Sequence, residues 1–444
     1  MNLKKSMFNY VFENGEDIYL HNTYTKVIAK SKKKDIIKRI LEDPCIIHET
    51  DLHLLEKMKE DGFIVNDRLD EFALSNLRHF DMITRNALSL TIMPTMQCNF
   101  DCSYCFVTTD DPLMSSQDQD NLIKYIKKNI KKYDSLKVEW FGGEPLLAVK
   151  VINNLSEKMI KICKDTYKPY SAFMTTNGYN LSLDVFKQML SNKVTGYQIT
   201  LDGPALFHDK TRALKTGKPT FDHILTNLKN IQDNVRTSSF TIIIRTNLTR
   251  ELILEIDDYL EFMYKEFGQD NRFTFYFSPV GDWGGERVKT MTGSLPDGLE
   301  LLYDKLISSP YKLNYQAFHR LLCDGMCIVA QRNSLAIGSG GRVYKCSMIL
   351  DNEKNWIGSI DSKGTLSLDE EKMAQWVYRF DSLKGKCHSC AFRPRCNNSL
   401  CPASGYIRPK HDRCDFDRTN IDKIILLITN GVFKGNSRII KEYE

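Results

Sequence analysis

The chain has 444 residues, 42% hydrophobic and 26% charged, with a formal net charge of +5. Single cores stop growing near ~250 residues, so two or three domains are expected. The composition is that of a globular protein, and so small a charge does not call for nucleic acid. No apolar run approaches the ~20 residues of a membrane span. Met1-Asn-Leu-Lys-Lys-Ser lacks an apolar signal core, so a cytoplasmic protein is expected. There are 13 cysteines, and in a reducing compartment clustered cysteines point to metal or redox chemistry rather than disulfides.

The first elements are short strands over Met7 to Ala29. Phe8, Tyr10 and Phe12 alternate with polar or smaller residues, and Asn14-Gly15 suits a tight hairpin turn. A helix follows, with Ile36, Ile37, Ile40 and Leu41 on one side, and Pro44 stops it. A second helix carries Leu52, Leu54, Leu55 and Met58 and ends at Gly62, a natural residue to follow a helix. Phe63-Ile-Val65 reads as a wing strand, and a third helix runs over about Leu69 to Met82. The lysine runs at Lys32 to Lys34 and Lys127 to Lys132 read as solvated helix faces.

From Leu88 to about Val280, strands and helices alternate. Strands are expected near Leu88–Pro94, Lys137–Phe141, Ser171–Thr175, Gly196–Leu201, Phe240–Thr246 and Arg272–Phe277. The helices between them begin with one near Ser115 or Ser116, followed by others at roughly Val149–Lys164, Leu183–Ser191, Phe221–Asp233 and Leu252–Phe267. Six such units make a parallel sheet flanked by helices.

The first of these strands ends in Cys98-Asn-Phe-Asp-Cys102-Ser-Tyr-Cys105. Three thiolates can hold three irons of a 4Fe-4S cluster and leave the fourth iron open. A zinc knuckle or buried thiols are the alternative. The second strand ends in Gly142-Gly143-Glu144-Pro145, the third in Thr175-Thr176-Asn177-Gly178, and the fourth in Thr200-Leu-Asp202-Gly203-Pro204, followed by His208, Asp209 and Arg212. The fifth carries Arg245 and Asn247.

This constellation resembles the radical SAM family, in which the open iron chelates S-adenosylmethionine. The resemblance implies a partial (β/α)6 TIM-like barrel with its chemistry at the C-terminal strand ends. It implies a cluster on Cys98, Cys102 and Cys105, and cofactor contacts from Gly142, Gly143, Glu144, Thr176, Asn177, Thr200, Asp202 and Arg245. It further implies reductive cleavage of the cofactor to methionine and a radical that takes hydrogen from an unactivated carbon, with electrons from a donor such as flavodoxin or ferredoxin.

From about Tyr315 the chain changes character. Cys323 and Cys327 precede Gly338-Ser-Gly-Gly341-Arg-Val-Tyr-Lys-Cys346, a glycine-turned hairpin with a cysteine on its return. Cys387-x2-Cys390-x5-Cys396-x4-Cys401 and Cys414 follow. Eight cysteines suit two four-thiolate sites, of iron–sulfur or of zinc. The order resembles the SPASM extension of peptide-modifying radical SAM enzymes, with four residues instead of the usual three before Cys401. That resemblance implies one auxiliary cluster on Cys323, Cys327, Cys346 and Cys401, another on Cys387, Cys390, Cys396 and Cys414, and hence three 4Fe-4S clusters. The N-terminal hairpin, helices and wing resemble the winged-helix domains that bind the leader of a precursor peptide as an added strand.

The expected domains are therefore 1–85 for leader recognition, 86–285 for the radical core, 286–322 as a bridge and 323–444 for SPASM. The function implied is hydrogen abstraction from a ribosomally made precursor peptide to install a thioether, C–C or C–O cross-link, without nucleic-acid or membrane partners. An anaerobic sulfatase-maturing enzyme is the alternative, although its usual Asp after the hairpin cysteine is Ser347 here. A non-catalytic electron carrier is a third reading. Asp282, Glu286 and Asp324 are available as acid or base, and nothing in the sequence selects one.

Overall fold

The structure is a computed structural model and describes residues 2–107, 111–281, 296–315, 327–378, 387–396, 401–407, 420–432 and 440–443. Cys323, Cys414, Asp282, Glu286 and Asp324 lie outside the described residues. Two compact units divide the chain. One gathers Met1–Thr84, Phe318–Ala330 and Val377–Glu444; the other holds Arg85–Ala317 and Gln331–Trp376. This division differs from the one expected in chain order. The hairpin before Cys346 groups with the barrel, and the later cysteines group with the N-terminal elements.

In the first unit the order is β1 (Leu3–Lys5), β2 (Asn9–Asn14), β3 (Asp17–Asn22), β4 (Ile28–Ser31), α1 (Lys34–Glu42), α2 (Leu52–Glu60), β5 (Ile64–Asn66) and α3 (Glu71–Ile83). The hairpin pairs Asn14 with Asp17, which puts Gly15 and Glu16 in its loop. Only Gly15 is at positive φ, +58°; Asn14 finishes the strand rather than sharing the turn. The wing strand β5 pairs with β1, which the sequence reading missed, and β4 receives a parallel partner from far downstream, β16 (Ile440–Glu442). The apolar faces of α1 and α2 close on Ile18, Leu20 and Ala29, and Tyr443 fills the same core. Removing such side chains from water is what holds the layers together. Tyr443 is fixed there by a bond from its hydroxyl to Asp61 at 2.8 Å and from Ser31 to its carbonyl at 2.6 Å.

The second unit is a partial (β/α)6 barrel. Its parallel strands run in sequence order: β6 (Ala87–Ile92), β7 (Ser135–Trp140), β8 (Tyr170–Thr176), β9 (Val194–Thr200), β10 (Thr241–Leu248) and β11 (Phe273–Pro279). The helices between them are α4 (Ser116–Asn129), α5 (Val149–Asp165), α6 (Leu183–Ser191), α7 (Ala205–Thr211), α8 (Phe221–Asn234), α9 (Arg250–Leu254) and α10 (Ile256–Phe267). The single helix expected over Leu252–Phe267 is broken at Glu255, whose φ of −101° and ψ of 16° leave the helical range. Ser115 caps α4 by accepting from the Asp118 amide at 3.1 Å. Side chains alternate across each strand: Leu88, Leu90, Ile92, Leu136, Val138 and Trp140 are buried on one face, and the other face is polar.

The sheet does not stop at β6. Strand β12 (Ser334–Ile337) joins it in parallel, followed by antiparallel β13 (Arg342–Tyr344), β14 (Trp356–Ile360) and β15 (Leu366–Leu368). The β12–β13 turn is the glycine hairpin expected, with Gly340 at φ +67° and Gly341 at φ +68°. No helix among the described residues is long and apolar enough to cross a membrane.

Candidate cluster and cofactor site

The cysteine loop follows β6 and is clamped from two sides. Its amides at Asp101 and Ser103 donate to the carbonyls of Ala213 and Thr211, both at 3.0 Å. On the other side, the glycines after β7 lie against the backbone that leads into the loop. The Gly143 amide donates to Thr95 at 3.1 Å, and the Glu144 amide to Gln97 at 2.9 Å. Only glycine fits here: a Cβ on Gly142 would stand 2.2 Å from the Thr95 carbonyl oxygen, and one on Gly143 2.2 Å from that of Met96.

Glu144 is wholly buried. Its carboxylate accepts from the Leu146 amide at 2.9 Å, the Thr176 hydroxyl at 2.7 Å and the Asn177 amide at 2.7 Å. Burial raises its pKa, and these bonds work against that rise. Glu144 thereby ties the ends of β7 and β8 together. Asn177 continues the chain of contacts, donating to Asn99 at 2.8 Å and approaching Cys98 Sγ at 3.9 Å.

A second knot forms beyond β9. The Tyr104 hydroxyl, from inside the cysteine motif, bonds to the Asp202 carboxylate. Arg212 Nη1 donates to that hydroxyl at 2.7 Å, and Asn247 Nδ2 does so at 3.0 Å. Asp202 also accepts from the Asn247 amide at 2.7 Å, and its own amide donates to His208 Nδ1 at 3.1 Å. Thr200 ends β9 in register with Arg245, whose Nε bonds Asn247 at 2.8 Å. The eight expected cofactor contacts thus sit at the ends of four consecutive strands, around the cysteine loop. The sequence singled out Asp202 but gave no sign that Tyr104, Arg212 and Asn247 hold it; those three meet across 108 and 143 positions of chain.

The three thiols lie within electrostatic reach of one another, with Arg212 beside Cys98 and Cys102. Burial pushes the Cys102 thiol up to about 12 and Cys98 in the same direction. A metal that binds Cys98 and Cys102 must therefore displace their protons. The donor set fits an iron–sulfur cluster: three sulfurs, a buried guanidinium as countercharge, and the Arg212 Nε with no partner among the described residues. No three or more His, Cys, Asp or Glu side chains among the described residues converge tightly enough for one metal ion; in a cubane each thiolate would take its own iron.

Among the later cysteines, Cys346 is buried, and its amide donates to Asn355 Oδ1 at 2.8 Å. Asn355 in turn donates to the carbonyls of Cys346 and Ile349, both at 2.7 Å, and so fixes the hairpin's exit. Cys387, Cys390 and Cys396 occupy one tight loop with Arg393 inside it. Arg393 donates to the Cys387 carbonyl at 3.3 Å, to Ser75 at 2.8 Å and to Asn76 at 2.7 Å, and lies 4.2 Å over the Phe72 ring. The cysteine loop is thus bolted to α3. Cys327 and Cys401 are part-exposed in the same unit.

A glycine-braced strand end, a three-cysteine loop and a buried carboxylate–guanidinium knot at the open end of a partial barrel define a protein built to hold a cluster and a small polar cofactor. Residues 92–260 match the Radical SAM superfamily model. The chain is 25% identical over 342 residues to a cysteine-type anaerobic sulfatase-maturating enzyme of Clostridium novyi, covering 70% of this chain and 87% of that one. It is 30% identical over 139 residues to a probable GTP 3',8-cyclase of Methanococcus aeolicus, covering 27% of this chain and 45% of that one. Its fold is similar to anSMEcpe with bound AdoMet and a Kp18Cys peptide, with a TM-score of 0.59 at 18% identity over 78% of this chain and 98% of that one. It is also similar to Streptococcus suis SuiB bound to precursor peptide SuiA, with a TM-score of 0.50 at 14% identity over 89% and 95%. The chain thus contains a radical SAM domain over residues 92–260, and it is similar over most of its length to a sulfatase-maturating enzyme.

Proposed function

We propose that the enzyme modifies a ribosomally made precursor peptide, abstracting hydrogen from one residue and joining that carbon to another side chain. The single observation that carries the chemistry is the continuity of the site: Asn177 links Cys98 to Glu144, and Tyr104 links the same loop to Asp202. When bound, the cluster and S-adenosylmethionine supply an electron and a radical able to take hydrogen from carbon.

Cys98, Cys102 and Cys105 would hold the cluster. The rigid Gly142–Gly143 backbone would receive the cofactor's amino group, with Glu144 as its brace. Thr176, Asn177, Thr200, Asp202 and Arg245 would line the remainder. Cys323, Cys327, Cys346 and Cys401 are proposed for one auxiliary cluster and Cys387, Cys390, Cys396 and Cys414 for a second, and a flavodoxin or ferredoxin as electron donor. The N-terminal unit would take the leader. Its β2 pairs only with β3 among the described residues, so a strand edge is available there, whereas the β4 edge is covered by β16. The peptide-bound relatives support a peptide substrate.

A second reading, formylglycine formation, is favoured by the identity to the sulfatase-maturating enzyme. Ser347 at the position after Cys346 weighs against it, because a hydroxyl is a poor proton acceptor beside a carboxylate. The test is anaerobic. Reconstituted protein should carry about twelve irons, the sum of three four-iron clusters, and form 5′-deoxyadenosine with dithionite and S-adenosylmethionine. Peptides encoded beside the gene should then lose two hydrogens per cross-link. Iron without cofactor cleavage would leave only an electron carrier. A sulfatase-derived Cys peptide converted in preference would establish the second reading.

A further inference from the structure

Glu139 is the only acidic residue in the six parallel strands of the barrel. It stands on the polar face of β7, one position before buried Trp140. Strand register carries that face around the barrel. Thr91 pairs with Glu139, Glu139 with Phe173, Thr175 with Gln198, and Gln198 with Ile243, two residues before Arg245. Arg245 and Asn247 lie on the same face, and Asn247 touches Tyr104 of the cysteine loop. The face with Glu139 therefore looks into the space that the cluster site caps.

This space is open. Glu139, Phe173, Thr175, Gln198, Ile243 and Arg245 are all part-exposed, while the opposite faces of the same strands are sealed under helices. Phe173 leans its ring onto Gly196, where a Cβ would meet it at 2.5 Å, so its bulk lies over β9 and away from β7. Glu139 itself is poorly satisfied. Its two oxygens accept only long bonds, from Thr91 at 3.4 Å and Thr175 at 3.5 Å. No basic side chain among the described residues pairs with it; Lys137 is exposed further down the same strand, and Arg245 is three strands away, tied to Asn247. Glu144 offers the contrast: fully buried, with three close donors. A desolvated carboxylate without a cation is costly, and a ligand that supplies the cation recovers that cost.

We propose that Glu139 anchors a basic side chain of the substrate peptide inside the barrel, selecting peptides with a lysine or arginine near the modified residue. This rests on the peptide-modifying reading above and names the substrate class for that site. The geometry gives the cation one carboxylate, with Thr91 and Thr175 holding its oxygens apart.

The test uses the reconstituted full chain with S-adenosylmethionine and two probes, Nα-acetyl-lysine methylamide and Nα-acetyl-norleucine methylamide, titrated by saturation-transfer NMR. The wild type should bind the lysine probe about tenfold tighter, the size of one part-buried ion pair. E139Q keeps the side chain's shape and one oxygen to accept from a threonine hydroxyl, but loses the charge, and should bind the two probes alike. E139D keeps the charge on a shorter arm and should retain a weakened lysine preference, which also covers the case in which E139Q fails to fold. Equal binding of both probes by the wild type, a lysine preference that survives in E139Q, or one absent from E139D would overturn the proposal. Failure of the wild type to form 5′-deoxyadenosine is a separate outcome: it would sink the functional reading and leave the probe result standing.

Discussion

Arg212 and Tyr104 are 108 residues apart in the chain, yet the guanidinium donates to the phenol oxygen at 2.7 Å. The same phenol bonds Asp202, so one hydroxyl joins a cation and an anion, both buried. An aromatic residue inside the cysteine motif is thus a structural tie as much as a packing group.

Tyr104→Phe removes that tie and keeps the ring. Asp202 then loses one of its donors while still buried, which costs about 1–3 kcal/mol. The loop should hold iron less firmly while the barrel stays folded. Iron per chain after gel filtration should fall against an unchanged far-ultraviolet circular dichroism spectrum; full iron retention would show that the tie is dispensable.

Gly143→Ala tests the glycine brace. The added methyl would sit 2.2 Å from one carbonyl oxygen and 2.4 Å from the next, both backbone atoms that cannot swing away. The entry to the cysteine loop must shift, by the logic that backbone crowding is not relieved by rotamers. S-adenosylmethionine affinity should drop at least about tenfold, a loss of ~1.4 kcal/mol, as read by equilibrium dialysis. Gly217→Ala, whose Cβ meets nothing within 4 Å, is the control for a glycine at positive φ, +79°.

Arg393→Lys tests the bolt between α3 and the later cysteine loop. Lysine cannot reproduce a fork that reaches Ser75, Asn76 and the Cys387 carbonyl together. The loss should be about 2–3 kcal/mol, for bonds made by a charged donor. Denaturant unfolding monitored in this unit should shift accordingly, with the barrel's own transition unmoved.

Two histidines give the first unit an acid limit. Burial lowers His21 to about 4, with Arg395 contributing, and lowers His79 to about 4, with Arg393 contributing. Because the folded values lie below the unfolded value of about 6.5, both residues stay neutral in the fold, and their stabilisation is complete above pH ~6.5. It is lost as pH falls from there towards 4, by on the order of 3 kcal/mol for each. Melting temperature should decline across that window, and His79→Gln should flatten part of the decline.

Much of the barrel was legible because it is local. The period of two in Ser135–Trp140 and Thr241–Leu248, and the helical spacing between them, reflect one face turned to helices and the other to the barrel interior. The ranges Leu183–Ser191 and Phe221–Asn234 follow directly from that spacing. The cysteines and Gly142-Gly143-Glu144-Pro145 were equally plain, since cluster ligation and close backbone approach demand particular residue types at short spacings.

What the sequence could not determine was pairing at a distance. Strand β16 has three residues and no pattern of its own; its place beside β4 follows from Tyr443 filling a core whose other members lie before residue 65. Strand β12 extends the barrel sheet because Ser334–Ile337 meets the open edge of β6, an edge that exists only once the barrel has formed. Arg393 reads as an ordinary basic residue in a cysteine spacer until α3 supplies Ser75, Asn76 and Phe72 around it. Glu139 alternates into one face like any strand residue, and only the pairing of β7 with its neighbours leaves it as a carboxylate without a cation among the described residues. The sequence by itself determined where the cysteines and the Gly-Gly-Glu-Pro motif fall relative to the strands, because such spacings are local. The tertiary structure decided which side chains surround those residues, because burial and partnership are properties of the packed chain.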